Sequence, residues 1–285
     1  MRRFICPIIG IFFLLHAWRP ETASANSLAI FRTSYGEMAF ELFDDDKPKT
    51  VRNFIALTES GRYRNSIMHR LEPGSVVQGG GYVVQNTSST NLATNLFLVA
   101  NFGFITNEFS TGTIYSNVFG TIAMAKLPNS PDSASSQWFI NLGDNSASFD
   151  TQNGGFTVFG RIVHGEQVLH TLNTKSNNYG IVNLSGFYGP PFATVPVMFD
   201  GAVFPRYTEL AYPRIEILKI ITTPNLDGSR NLAWNSPTGL LCRIEYRDDV
   251  MWDLLHLTNG NGLVQSVVDT NTVAAGRHYR VRIGP

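Results

Sequence analysis

Cysteine is nearly absent from this 285-residue chain, which has Cys6 and Cys242 and no others. Cys6 lies in a segment that reads as a removable leader, so the mature chain keeps one thiol and an intramolecular disulfide is excluded. Charge is scarce too: Asp, Glu, Lys and Arg make up 15% of the residues, against about 25% in an average domain, and 22 basic residues balance 22 acidic ones. No overall field would draw in nucleic acid or an anionic lipid surface, so partner choice must come from local shape. The six histidines include no pair spaced for zinc, no Gly-x-Ser-x-Gly occurs, and Gly79-Gly80-Gly81 lacks the Lys-Ser/Thr of a phosphate loop. Asp44-Asp45-Asp46 lacks the spaced ligands of a calcium loop and reads as a solvated turn. Hydrolase and metalloenzyme readings have little to stand on, and no metal ligands are assigned.

Long apolar runs are also missing. The longest, Phe4 to Trp18, is shorter than the roughly 20 residues of a membrane span and is interrupted by His16. With Arg2-Arg3 before it and Ala23-Ser24-Ala25 after it, residues 1–25 read as a secretory signal peptide, and the mature protein is expected to be exported, periplasmic or extracellular, without a membrane span.

What is present is a β-rich pattern with 43% hydrophobic residues, enough for one medium domain and a small one. LAIFRT and EMAFELF flank Ser34-Tyr35-Gly36 as an opening hairpin. Thr50 is placed to cap a helix in which Val51, Phe54, Ile55 and Leu57 form an apolar stripe that Gly61 stops. A second short helix gathers Val168, Leu169 and Leu172 on one face. Residues 85–116, rich in Asn, Ser, Thr and Gly, read mainly as surface loops. Strands are expected over Thr121–Lys126, Gln137–Leu142, Phe156–Val163 and Arg214–Ile221.

The most informative stretch is Ser66 to Gln78, SIMHRLEPGSVVQ, running into three glycines. Strand formers surround a tight Pro73-Gly74 turn, so Arg70 and Gln78 should face each other across a hairpin. Met68-His69-Arg70, Pro73-Gly74 and Gln78-Gly79-Gly80, followed by GTIAMAK at residues 120–126, SQWFIN at 136–141 and FTVFGR at 156–161, resemble the signature of the cyclophilins, the peptidyl-prolyl cis-trans isomerases. The resemblance covers about residues 27–220.

That resemblance implies an eight-stranded, closed, antiparallel β-barrel with two capping helices, and a reaction without a cofactor on proline-containing polypeptides. Arg70 would be the catalytic residue and Gln78 would hold its guanidinium and contact peptide backbone. The main chain around Ala125 and Lys126 would fix the substrate strand, and Ser75, Val76, Phe139, Phe149 and Phe156 would form the proline pocket. Each phenylalanine alone reads as core, and only its alignment with the motifs places it in the groove. His69 is structural, since the reaction moves no proton. The pocket departs from the family pattern: an aromatic is expected at Ser75, a methionine is common at Val76, Phe149 stands where leucine is usual, and Phe156 replaces a histidine or tyrosine. A non-catalytic proline-peptide binder or chaperone is therefore the rival reading.

Residues 173–206 insert Gly-, Pro- and Asn-rich sequence before the last strand of this domain, with no legible chemistry. Beyond the isomerase-like domain, 26–220, a linker is expected at 221–230 and a small β-sandwich at 231–285, whose Trp252 and Tyr246 read as core before they read as a carbohydrate site. The expected particle is a monomer.

Overall fold

The computed structural model describes residues 27–86, 95–176, 180–198, 205–248, 251–271 and 277–283; residues 1–25, expected as a leader, and Cys6 within them lie outside the described residues. In chain order the elements are β1 (Leu28–Thr33), β2 (Gly36–Leu42), α1 (Pro48–Glu59), β3 (Arg70–Glu72), β4 (Val76–Gly79), β5 (Tyr82–Val84), β6 (Leu96–Leu98), β7 (Thr121–Met124), β8 (Trp138–Asn141), α2 (Ser146–Phe149), β9 (Val158–His164) and α3 (Glu166–Asn173). The insertion adds β10 (Ile181–Val182), α4 (Ser185–Tyr188) and β11 (Val195–Pro196), and β12 (Arg214–Leu218) follows it. The remainder is β13 (Ile221–Pro224), β14 (Arg230–Asn235), β15 (Leu241–Arg247), β16 (Asp253–Asn259), β17 (Val264–Asp269) and β18 (His278–Ile283).

The main sheet has the eight strands expected, all antiparallel, in the order β12-β1-β2-β9-β7-β8-β4-β3. It is a strongly curled half-barrel and not the closed barrel expected. The reason lies at β3, whose outer edge meets the insertion: the Leu71 N–H donates to the Thr194 carbonyl at 2.7 Å, and just before the strand the Met68 N–H donates to the carbonyl of Ala211, beyond the insertion, at 2.9 Å. No ladder to β12 forms among the described residues.

Strand β1 is apolar on both faces because both are covered. Ala29 and Phe31 join the main core with Phe40, Phe54, Trp138, Phe159 and the apolar faces of α1 and α3. Leu28 and Ile30 point the other way and share a second cluster with Leu218, Trp234, Cys242, Ile244 and Tyr279. The C-terminal residues form two three-stranded sheets, β13-β14-β17 and β16-β15-β18, and this module packs on the outside of the main sheet. Ile221–Pro224, expected as linker, is already an edge strand paired with β14, and the turn that follows is closed by the Asn225 N–H donating to the Ser229 carbonyl.

Two local expectations also change. Helix α1 begins at Pro48, which has no N–H to be left without an acceptor there, and the hydroxyl of Thr50 donates to Glu108. Glu108 is the true cap: its carboxylate accepts the N–H groups of Lys49 and Thr50 at 3.0 and 2.8 Å. The acidic turn is also not merely solvated, because Asp44 accepts from Ser27 N–H and hydroxyl, and Asp46 from Thr113 N–H and Tyr115 hydroxyl.

Deleting residues 225–285 uncovers Leu28, Ile30 and Leu218, each at most 3% exposed. Such side chains contribute about 1.5 to 3 kcal/mol apiece when fully buried. The shortened protein is expected to lose several degrees or more of melting temperature in a thermal unfolding scan; an unchanged midpoint would show that the shared cluster contributes nothing.

Candidate active site

Register builds the site. Arg70 on β3 lies opposite Gln78 on β4, Gln78 opposite Phe139 on β8, and Phe139 opposite Ala123 on β7. One cross-strand row therefore carries a cation, an amide and an aromatic ring over about 10 Å, since neighbouring strands are about 4.8 Å apart. The intervening residues, Leu71, Val77 and Ile140, turn into the main core. The hairpin is pinned at its turn, where the Gly74 N–H donates to Asn173 Oδ1 and Asn173 Nδ2 donates to the Leu142 carbonyl, both at 2.8 Å. The glycines after Gln78 are dictated by Trp138: a Cβ at Gly79 would lie 2.5 Å from the indole, and one at Gly80 2.7 Å from its nitrogen.

Arg70 is half exposed, with Nε 3.5 Å from Glu72 Oε1. Gln78, expected to hold the guanidinium, instead donates its side-chain N–H to Gln137 Oε1 at 2.7 Å. Both alternatives are local: Glu72 and Gln137 lie two residues along their chain segments from Arg70 and Phe139, on the same side of an extended backbone. That period-two spacing was the signal by which sequence reasoning could have found them. Thr194, whose hydroxyl donates to Glu72 Oε1 at 2.9 Å, comes from the insertion and has no such signal.

Four of the expected pocket residues meet. Val76, Phe139, Phe149 and Phe156 belong to one apolar cluster, to which Ala125 also packs. Phe139 meets Phe149 and Phe156 at centroid distances of 5.4 and 5.7 Å, nearly perpendicular to each, and those two rings are 5.2 Å apart. Phe139 is 4% exposed beneath them. Ser75 stands aside from this floor: its hydroxyl lies 3.4 Å from Asn145 Oδ1, and its carbonyl accepts from Asn145 Nδ2 and the Leu142 N–H.

Lys126 contributes more than main chain. Its ammonium donates to the carbonyls of Asn153 and Gly155 at 2.7 Å and sits 4.8 Å from the centre of the Phe156 ring. Partial burial lowers its pKa to about 8, with Asp132 opposing the shift.

His69 is buried, 4.9 Å from the Tyr82 ring and 6.0 Å from Phe192 of the insertion. Burial depresses its pKa to about 4; the nearby Ile67 backbone opposes this, and the charge of Arg70 adds to it. The folded value lies below the unfolded one of about 6.5, so the neutral imidazole's stabilisation is present above pH 6.5 and lost as pH falls through 4. Asp44, raised to about 6 by burial, has the opposite sign, its contribution being lost as pH rises through that value. Urea unfolding at pH 7 and 4.5 is expected to show wild type losing about 2 kcal/mol more than His69→Phe over this interval. Equal losses would mean that His69 is not buried neutral. Comparing the two proteins cancels Asp44.

Residues 28–185 match the family model described as cyclophilin type peptidyl-prolyl cis-trans isomerase/CLD. The chain is 34% identical over 161 residues to the peptidyl-prolyl cis-trans isomerase of Acinetobacter baylyi, covering 56% of this chain and 79% of that one. It is 34% identical over 149 residues to peptidyl-prolyl cis-trans isomerase B of Escherichia coli, covering 51% and 83% respectively. With peptidyl-prolyl cis-trans isomerase A of Dickeya dadantii it shares 32% identity over 182 residues, 63% of this chain and 88% of that one.

Proposed function

Because the chain belongs to the cyclophilin-type peptidyl-prolyl cis-trans isomerases, we propose that Arg70 is its catalytic residue and that the row Arg70–Gln78–Phe139 is its substrate groove. The observation that carries this reading is the register, which sets the guanidinium and the apolar floor on one face, two strands apart.

Rotation of an X-Pro bond requires loss of amide resonance, against a barrier of about 18 to 20 kcal/mol, and no proton need be moved. The proline ring enters over Val76, Phe139, Phe149 and Phe156, which replace water with carbon. The backbone around Ala125 and Lys126 holds the flanking peptide, and Gln78, oriented by Gln137, offers its remaining amide groups to it. As the amide twists, the prolyl nitrogen regains a lone pair. A guanidinium N–H donating to that nitrogen stabilises the twisted form more than the planar one, and only such a difference accelerates the reaction.

The substrates on this reading are exported, unfolded polypeptides, since the leader sends the mature chain through a membrane and slow X-Pro exchange limits folding. Among the described residues no helix is long and apolar enough to cross a membrane. The isomerase unit is residues 26–220, with the C-terminal module as its buttress. Mass spectrometry of the exported protein is expected to find an N-terminus at Asn26; Met1 retained in a membrane fraction would overturn export.

One observation favours a second reading, a proline-peptide binder without turnover. Ser75 turns toward Asn145 and adds nothing to the floor, which leaves Val76 and the three phenylalanines alone to take a ring. An isomerisation assay on a short X-Pro peptide separates the two. Turnover is expected, and Arg70→Ala is expected to lower kcat/KM at least about tenfold, or about 1.4 kcal/mol, with the fold intact. Arg70→Lys should recover only part, because an ammonium lacks the planar fork. Equal turnover by Arg70→Ala would remove Arg70 from the mechanism, and peptide binding without turnover in wild type would establish the binder.

A further inference from the structure

We propose that Glu72, held by Thr194 of the insertion, is a positioning residue for the Arg70 guanidinium, which makes the insertion a working part of the isomerase site. This rests on the reading of Arg70 as the group that acts on the amide.

Arg70 and Glu72 are the first and third residues of β3 and emerge on one face, with buried Leu71 between them turned inward. A single oxygen, Glu72 Oε1, lies 3.5 Å from Arg70 Nε and accepts the Thr194 hydroxyl at 2.9 Å. Thr194 is itself fixed, because its carbonyl accepts the Leu71 N–H at 2.7 Å. Its neighbours Phe192 and Val195 are 2% and 0% exposed, in a core that they build with Ile67, Val84, Leu184 and Leu210. A rigid patch of the insertion thus reaches the carboxylate from one side while the arginine meets it from the other.

The geometry suits an orienting role. A guanidinium has five N–H donors in one plane, and engaging it at Nε leaves the terminal fork free to face a peptide. Arg70 otherwise has wide rotamer freedom, since its side chain is 43% exposed on a three-residue edge strand. Both partners are about two-fifths exposed, and pairs of this kind add little to stability, so the orienting effect can be tested without unfolding the protein.

The experiment compares wild type with Glu72→Gln, Thr194→Val, Thr194→Ser, Arg70→Ala and the Arg70→Ala/Glu72→Gln pair in a peptide isomerisation assay. Glu72→Gln is expected to lower kcat about three- to tenfold with little change in KM, as loss of an interaction realised in the transition state does. Thr194→Val should fall in the same direction, Thr194→Ser should keep wild-type rates, and the double variant should be no slower than Arg70→Ala, because Glu72 acts through the arginine. A Glu72→Gln enzyme as fast as wild type, or a Glu72 loss that multiplies with that of Arg70→Ala, overturns the proposal. The Arg70 Nε–H resonance is followed in parallel by NMR. It is expected to move in Glu72→Gln and Thr194→Val and to stay put in Thr194→Ser. If it does not move, the proposal fails whatever the kinetics show, whereas wild-type inactivity with the expected shifts sinks only the isomerase reading.

Discussion

The pairing of β3 with β4 is the constraint on which the site depends. Side chains alternate across a strand, so a one-residue slip would drive Arg70 into the core and turn Leu71 outward. Three residues of β3 cannot hold that register by themselves. They are held by the Pro73-Gly74 turn, by Asn173 at the turn's backbone, and by Thr194 along the open edge. Trp138 adds a lock of another kind, because its indole occupies the space that side chains at residues 79 and 80 would need, and only glycine passes there.

Behind the row, the chemistry is one of selective desolvation. His69 is forced neutral beneath Tyr82 and Phe192, so Arg70, next to it in sequence, has no positive charge from that imidazole beside it. On the far side of the floor, Lys126 satisfies two loop carbonyls while resting over Phe156, which ties the loop carrying that ring to the strand end carrying Ala125. The phenylalanine cluster forms without Ser75, whose polar groups are engaged by Asn145 and Leu142. Its rings meet edge to face, so Phe139 is held between Phe149 and Phe156.

Much of this was legible in the chain. The hairpin of Arg70 and Gln78, the strands around residues 121–124 and 138–141, and the two helices with their apolar faces follow from period and turn chemistry. LAIFRT was legible as one arm of the opening hairpin, whereas its cover on both faces emerged only with the C-terminal module in place. What was not legible depends on long-range partners: Glu108 capping α1 from 58 residues away, Gln137 capturing Gln78, and Thr194 reaching Glu72 across 122 positions. Barrel closure failed for the same reason. Whether an edge strand pairs with its counterpart or with an insertion depends on which backbone arrives there, and the local sequence of β3 is the same in either case.

The two stretches that depart from a minimal family member act at different places on one open sheet. An open sheet leaves edges that must be covered or paired. The insertion covers the edge at β3, beside Arg70, whereas the C-terminal module lies against the outer face of β1, β2 and β12 at the opposite end of the strand order. The module reaches the main sheet through a shared apolar cluster, and Arg280 also lies 3.9 Å from the buried Glu41 carboxylate. Its weight falls on the stability of the whole, while that of the insertion falls on the orientation of one side chain. A substitution in the first would be felt as unfolding, and one at the tip of the second as slow turnover in a protein that still melts normally.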